Sequence, residues 1–145
     1  MSTYVPPTWP VSVKGVAFDA AGRVLLLHNE RDEWELPGGR LEPADPNPEH
    51  TVQREFEEET GWKVTAGPLV DTWLYAPIPG RRVLIITFAC TVLTPDQPPV
   101  LSHEHKKIGL FPVDQVPGLT MPDGYKQAIA ACWTRHAHPA NIVGQ

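Results

Sequence analysis

The segment Arg54-Glu55-Phe56-Glu57-Glu58-Glu59-Thr60-Gly61-Trp62 begins fifteen residues after Gly39 of the run Pro37-Gly38-Gly39, and no other stretch restricts the fold as much. Four of five consecutive positions, 55 and 57–59, are glutamate, and Arg54 is the one adjacent cation. On a helix, Glu55, Glu58 and Glu59 stand at i, i+3 and i+4 and share a face. Like charges at that spacing repel by about 0.2–0.5 kcal/mol per pair. A helix built only for structure more often interleaves lysine there. Two readings follow: a solvated acidic surface, or an oxygen ligand set for a hard divalent cation such as Mg²⁺. The glycine pair upstream and the glycine stop downstream favour the second.

The helix itself has legible ends. Asn47 is a suitable N-cap and Pro48 suits the first helical position. Glu49 lies in the first turn, where the dipole favours an anion. Val52 and Phe56 form an i, i+4 apolar pair that can dock it. Gly61 fits the stop. Around it, residues 11–18 and 23–28 read as strands joined through Asp19-Ala20-Ala21-Gly22 as a hairpin. Residues 34–36 lead into Pro37-Gly38-Gly39, which reads as a tight loop. Residues 69–75, 82–93 and 106–111 read as further strands, the second almost wholly apolar. Residues 123–136 form a final amphipathic helix with Tyr125, Ile129 and Cys132 or Trp133 on one stripe, a pattern of core packing. This succession predicts an α/β fold, a mixed sheet between helices.

The chain has 145 residues, enough for one domain with a real core, expected over about 11–136 with 1–10 and 137–145 peripheral. Its 17 prolines fall between the periodic segments and act as loop punctuation. A net charge of −5 argues against non-specific nucleic-acid binding, which needs a basic surface. It leaves room for a small anionic substrate, because a bound metal inverts the local potential. Cys90 and Cys132 lack zinc-site spacing and read as buried thiols. The first residues carry neither a basic nor an apolar leader region, and no apolar run reaches the ~20 residues that span a bilayer. A cytoplasmic protein without membrane attachment is the expectation.

Gly39, Asp45, Arg54, Glu55, Phe56, Glu58, Glu59, Gly61 and Trp62 resemble the Nudix box, G-x5-E-x7-R-E-U-x-E-E-x-G-U, where U is a bulky apolar residue. The second half matches at every fixed position. The first half departs twice: Asp45 stands where the family has glutamate, and one extra residue within Pro46-Asn47-Pro48 lengthens the spacer. Both departures precede the helix, so the loop can absorb them without rotating the carboxylates. Trp34 through Gly39, Glu104 through Pro117 and Pro122-Asp123-Gly124-Tyr125 extend the resemblance over roughly residues 11–135.

The resemblance implies a Nudix-type α/β/α sandwich and a pyrophosphohydrolase that cleaves a nucleoside diphosphate linked to another group by water attack at phosphorus. It implies Mg²⁺, with Mn²⁺ as an alternative, held by Glu55, Glu58, Glu59 and the backbone carbonyl of Gly38. Gly39, Asp45, Arg54 and Gly61 take structural places in the box, Arg54 as the ion-pair partner of the early acid. Glu58, Glu59 or Glu104 serves as the catalytic base. Glu104 lies between His103 and His105, in a loop that carries a catalytic acid in some members. Tyr75, Arg81 and Arg82 are candidates for substrate contact, and Pro77 or Pro79 suits the ADP-ribose type. The substrate is expected among ADP-ribose, nucleotide sugars and nucleoside triphosphates, with no nucleic-acid partner; a homodimer stays open. Two other functions fit the scaffold. A non-catalytic nucleotide sensor predicts eroded carboxylates, whereas this chain keeps all three. An isoprenoid diphosphate isomerase needs a catalytic cysteine, and Cys90 in an apolar strand matches poorly.

Overall fold

The computed structural model describes residues 3–101 and 107–137. Along the chain run β1 (Val11–Val16), β2 (Arg23–His28), β3 (Trp34–Glu35), β4 (Gly38–Arg40), α1 (Pro48–Thr60), β5 (Val64–Ile78), β6 (Arg81–Val92), β7 (Lys107–Pro112), a 3₁₀ segment (Val113–Gly118) and α2 (Asp123–Ala137). The strands form two sheets. One is four-stranded and mixed, ordered β4-β1-β6-β5, and the other three-stranded, ordered β3-β2-β7. In the mixed sheet β1 runs parallel to β6 and antiparallel to β4, and β5 and β6 form an antiparallel pair.

Strand alternation explains why helices cover both faces of the mixed sheet. Successive side chains point to opposite faces, so one strand can feed two cores. On β1, Val13 packs with Val52 of α1. Val16 packs instead with Tyr125, Ile129 and Cys132 of α2. On β6, Phe88 joins the α1 core while Val83 and Ile85 join the α2 core. The α/β/α sandwich is therefore written in the period of β1 and β6.

Two local expectations are corrected. The turn at Asp19–Gly22 forms, with Gly22 N–H donating to the Asp19 carbonyl at 3.0 Å. It does not join β1 and β2 into one sheet: past a short antiparallel contact, in which Asp19 N–H donates to the Arg23 carbonyl and Leu25 N–H to the Ala17 carbonyl around the Phe18–Val24 bridge, the two strands diverge. The Gly38-Gly39 loop is instead strand β4, with Gly38 opposite Lys14 and Gly39 opposite Val13.

The ends of α1 are as expected, and both are local chemistry. Asn47 Oδ1 accepts the His50 N–H at 2.8 Å, Pro48 follows, and Gly61 closes the helix at φ 73° with its N–H on the Glu57 carbonyl at 2.9 Å. Val52 and Phe56 are fully buried against the sheet. Truncating a buried phenylalanine such as Phe56 costs about 3–5 kcal/mol, so the docking that fixes the helix register is strong.

Candidate active site

α1 lies beside β4, and the contact is made by carboxylates. Gly38 N–H donates to Glu59 Oε1 at 2.7 Å, across 21 residues of sequence. Glu59 is buried, with 6% of its surface exposed. A Cβ placed on Gly39 meets the Glu55 carboxyl carbon at 2.5 Å and its oxygens at 2.6 and 2.9 Å. The diglycine thus lets backbone and two helix carboxylates approach where a side chain does not fit. Gly38 has φ 146°, a conformation that side-chain-bearing residues rarely adopt.

The third carboxylate sits apart. Glu58 is largely exposed and lies 3.5 Å from Arg54 Nη1. Arg54 Nη1 also donates to Glu55 at 2.9 Å. Among the described residues no three His, Cys, Asp or Glu side chains converge as a metal cage. The donor set nevertheless fits a hard divalent ion: carboxylate oxygens on one helix face, two of them against the glycine strand, and an exposed third. Arg54 meanwhile supplies positive charge between Glu55 and Glu58 that offsets part of their repulsion.

The other end of Arg54 answers the question raised by the shorter acid at position 45. Its guanidinium meets Asp45 through Nη2 at 3.1 Å and Nε at 3.3 Å. Asp45 also accepts from the Glu42 N–H at 3.0 Å and the Thr51 hydroxyl at 2.8 Å. The Glu42 amide, then Arg54 and Thr51, hold the Asp45 carboxyl down at about 2. Asp45 and Glu55 in turn raise the Arg54 pKa. The extra residue in the loop is absorbed before Asn47, and Asp45 reaches Arg54 from the turn that Glu42 begins. For Glu55, burial raises the pKa; Arg54 works in the opposite direction, and Glu58 and Glu42 add to the rise.

Lys14 is a site residue that the sequence reading passed over. It is buried on β1, with its ammonium 3.9 Å from Glu35 and 5.8 Å from the Tyr125 ring centroid. Burial pulls its pKa down, but Tyr125, Glu35, Glu59 and Glu55 more than offset that, so the net shift is upward. The signal was present in the lysine among the valines of β1, and the structure sets it opposite Gly38. Glu35 is further tied to Asn29 Nδ2 at 2.9 Å.

The remaining predicted residues fall in two places. Tyr75 makes a tilted ring contact with Trp73 and an edge-on contact with Tyr125 on the α2 face. Arg81 and Arg82 begin β6 and line a separate cavity together with Arg40 and Trp9. The structure therefore does not bring Tyr75 into that arginine cluster. Glu104, His103 and His105 lie outside the described residues.

The fold and site together define an α/β/α domain that presents a carboxylate-bearing helix to a diglycine strand. A family model described as the NUDIX domain matches residues 8–132, and the chain belongs to that family. A MutT-like protein of Streptomyces ambofaciens is 38% identical over 86 residues, covering 59% of this chain and 53% of that protein. An 8-oxo-dGTP diphosphatase of Proteus vulgaris is 40% identical over 58 residues, covering 40% of this chain and 50% of that protein. The matched part thus spans about half the length of these relatives. A MutT protein from Methanosarcina mazei Go1 shares the fold with a TM-score of 0.75 at 22% identity, over 92% of this chain and 99% of that one. Among the described residues no helix is long and apolar enough to cross a membrane.

Proposed function

We propose that this chain is a divalent-metal-dependent pyrophosphohydrolase cleaving a nucleoside diphosphate linked to another group by water attack at phosphorus. The observation that carries the reading is the seating of Glu55 and Glu59 on Gly38-Gly39, which leaves no room for a side chain between carboxylates and backbone. Glu55, Glu58, Glu59 and the Gly38 carbonyl are the groups assigned to hold Mg²⁺ or Mn²⁺. Such an ion supplies charge neutralisation for the diphosphate and a lowered pKa for the attacking water.

The chain's own residues then have distinct tasks. Glu59 is fixed by the Gly38 amide, and Arg54 orients Glu55 while Asp45 anchors Arg54. Exposed Glu58 has the freedom to turn toward the strand. A base must come within hydrogen-bond distance of the water. Glu58, Glu59 and Glu104 are the candidates, Tyr75, Arg81 and Arg82 the candidates for substrate contact.

The substrate class is a nucleoside diphosphate derivative: ADP-ribose, a nucleotide sugar or a nucleoside triphosphate. The Proteus vulgaris relative's name places oxidised deoxynucleoside triphosphates in the test panel. Phosphate release from each, in Mg²⁺ and then Mn²⁺, tests the reading, with Glu104→Gln beside the parent chain. Glu104 as base predicts a lower maximal rate, and a change confined to KM assigns it to binding instead. Ligand binding with no turnover anywhere in the panel favours the sensor reading.

A further inference from the structure

Beside the diglycine strand lies a cavity of about 580 Å³. Its walls come from three separate elements: the segment before β1 with Trp9, β4 with Arg40, and the β5–β6 hairpin with Pro77, Arg81 and Arg82. No carboxylate lines it. Among the described residues, no ion pair engages any of these three arginines. The Arg82 guanidinium lies 4.5 Å from the centroid of the Trp9 ring, which holds it over the indole face and leaves its N–H edge available.

Such a gathering suits an anionic ligand. The chain carries a net charge of −5, so carboxylates are available to pair with surface arginines. Arg40, Arg81 and Arg82 line one concavity instead, where their positive charge favours an anion. Guanidinium is also the side chain best shaped to bind phosphate through paired N–H donors. Arg40 follows Gly39 directly and stands two residues, about 7 Å, from Gly38 along β4. A ligand spanning that distance reaches from Arg40 to the strand on which Glu55 and Glu59 are seated.

We propose that the cavity formed by Arg40, Arg81, Arg82 and Trp9 is an anion subsite that takes a phosphate group of the substrate beyond the anhydride that is cleaved. It rests on the pyrophosphohydrolase reading for its role, though not for its existence. The favoured substrates then carry a phosphate monoester in addition to the diphosphate.

The existence of the subsite is tested without turnover. Inorganic pyrophosphate is titrated calorimetrically into the full chain in excess EDTA, where the helix carboxylates lack a cation and repel the probe. The subsite predicts binding that weakens about tenfold or more in R81A/R82A. It predicts weakening in R40A, on a different strand, and no change in R135A, an exposed arginine on α2. Thermal melting verifies that each variant is folded. No binding by the parent, or equal binding by R81A/R82A and R40A, overturns the subsite.

Its role is tested in Mg²⁺ with ADP-ribose and its 2′-phosphate. The phosphorylated compound is expected to show a KM lower by about tenfold, an advantage lost in R81A/R82A. Equal KM values for the pair in the parent overturn the substrate role. Arginine-dependent pyrophosphate binding with no hydrolysis of any diphosphate leaves the subsite standing and sinks the pyrophosphohydrolase reading instead.

Discussion

Gly39→Ala isolates the placement of one carboxylate from the stability of the fold. The added Cβ falls 2.5 Å from the Glu55 carboxyl carbon, and ordinary contact begins at 3.4 Å. Either the Glu55 carboxylate retreats by about 1 Å or the contact stays repulsive. A glutamate tip at the edge of a helix yields easily. The retreat strains the 2.9 Å contact with Arg54, a partly exposed pair worth about 0.2–1 kcal/mol. Replacing glycine by alanine in extended backbone returns about 0.4–1 kcal/mol through the unfolded state. The net effect on stability stays within about 1 kcal/mol, a shift in Tm of roughly 2–5 °C. A misplacement of about 1 Å in a reacting constellation costs about 100-fold in rate. Gly38→Ala provides the contrast. Its Cβ runs into the Val13 carbonyl, backbone of the paired strand, at φ 146°. That neighbour cannot move away, and a loss of about 3 kcal/mol or more is expected. Melting curves and kcat for both variants are the assay. Full activity in folded Gly39→Ala refutes the argument that Glu55 must sit against the strand. Unfolding of Gly39→Ala refutes the argument that the side chain alone gives way.

Two further outcomes come from the ionisable groups. Asp45 is held at about 2 in the fold against an ordinary value near 3.8, so its contribution to stability is present above about pH 4 and is lost as the pH falls through about 2. The Tm difference between the parent and Asp45→Asn therefore narrows between these values, and a constant difference contradicts the Glu42–Asp45–Arg54 arrangement. Burial pushes both Cys90 and Cys132 up to about 12, so neither thiol reacts with Ellman's reagent at pH 8 until denaturant is added. Rapid labelling of the native chain contradicts their burial and reopens a catalytic role for Cys90.

What was legible in the sequence is what local chemistry decides. Asn47, Pro48 and Gly61 set the limits of α1 through contacts within four residues, and the apolar pair Val52 and Phe56 fixed its buried face. The carboxylate spacing then followed from helix geometry alone. The two sheets were not legible. Asp19–Gly22 has hairpin chemistry, and only the non-local pairing of β1 with β6 and of β2 with β7 separates the flanking strands. Gly38-Gly39 looked like a loop because glycine is a weak strand former. It is a strand because Val13 and Lys14 lie across from it. Arg40 and Lys14 acquire meaning only when distant elements converge: Arg40 beside the β5–β6 hairpin, Lys14 beneath Tyr125 and beside Glu35. Tyr75, close in sequence to Arg81, faces a different neighbour because the strand turns it toward α2.

The central claim is that the carboxylate face of α1 performs the chemistry. Its most direct test is phosphate release across the diphosphate panel by the parent chain and Glu58→Gln, each in Mg²⁺ and in excess EDTA. Glu58 is exposed and supports no buried contact, so the variant keeps the parent's Tm. The account predicts turnover of at least one diphosphate by the parent in Mg²⁺, lost in EDTA and reduced about 100-fold or more in Glu58→Gln. Turnover that survives both the chelator and the substitution contradicts it.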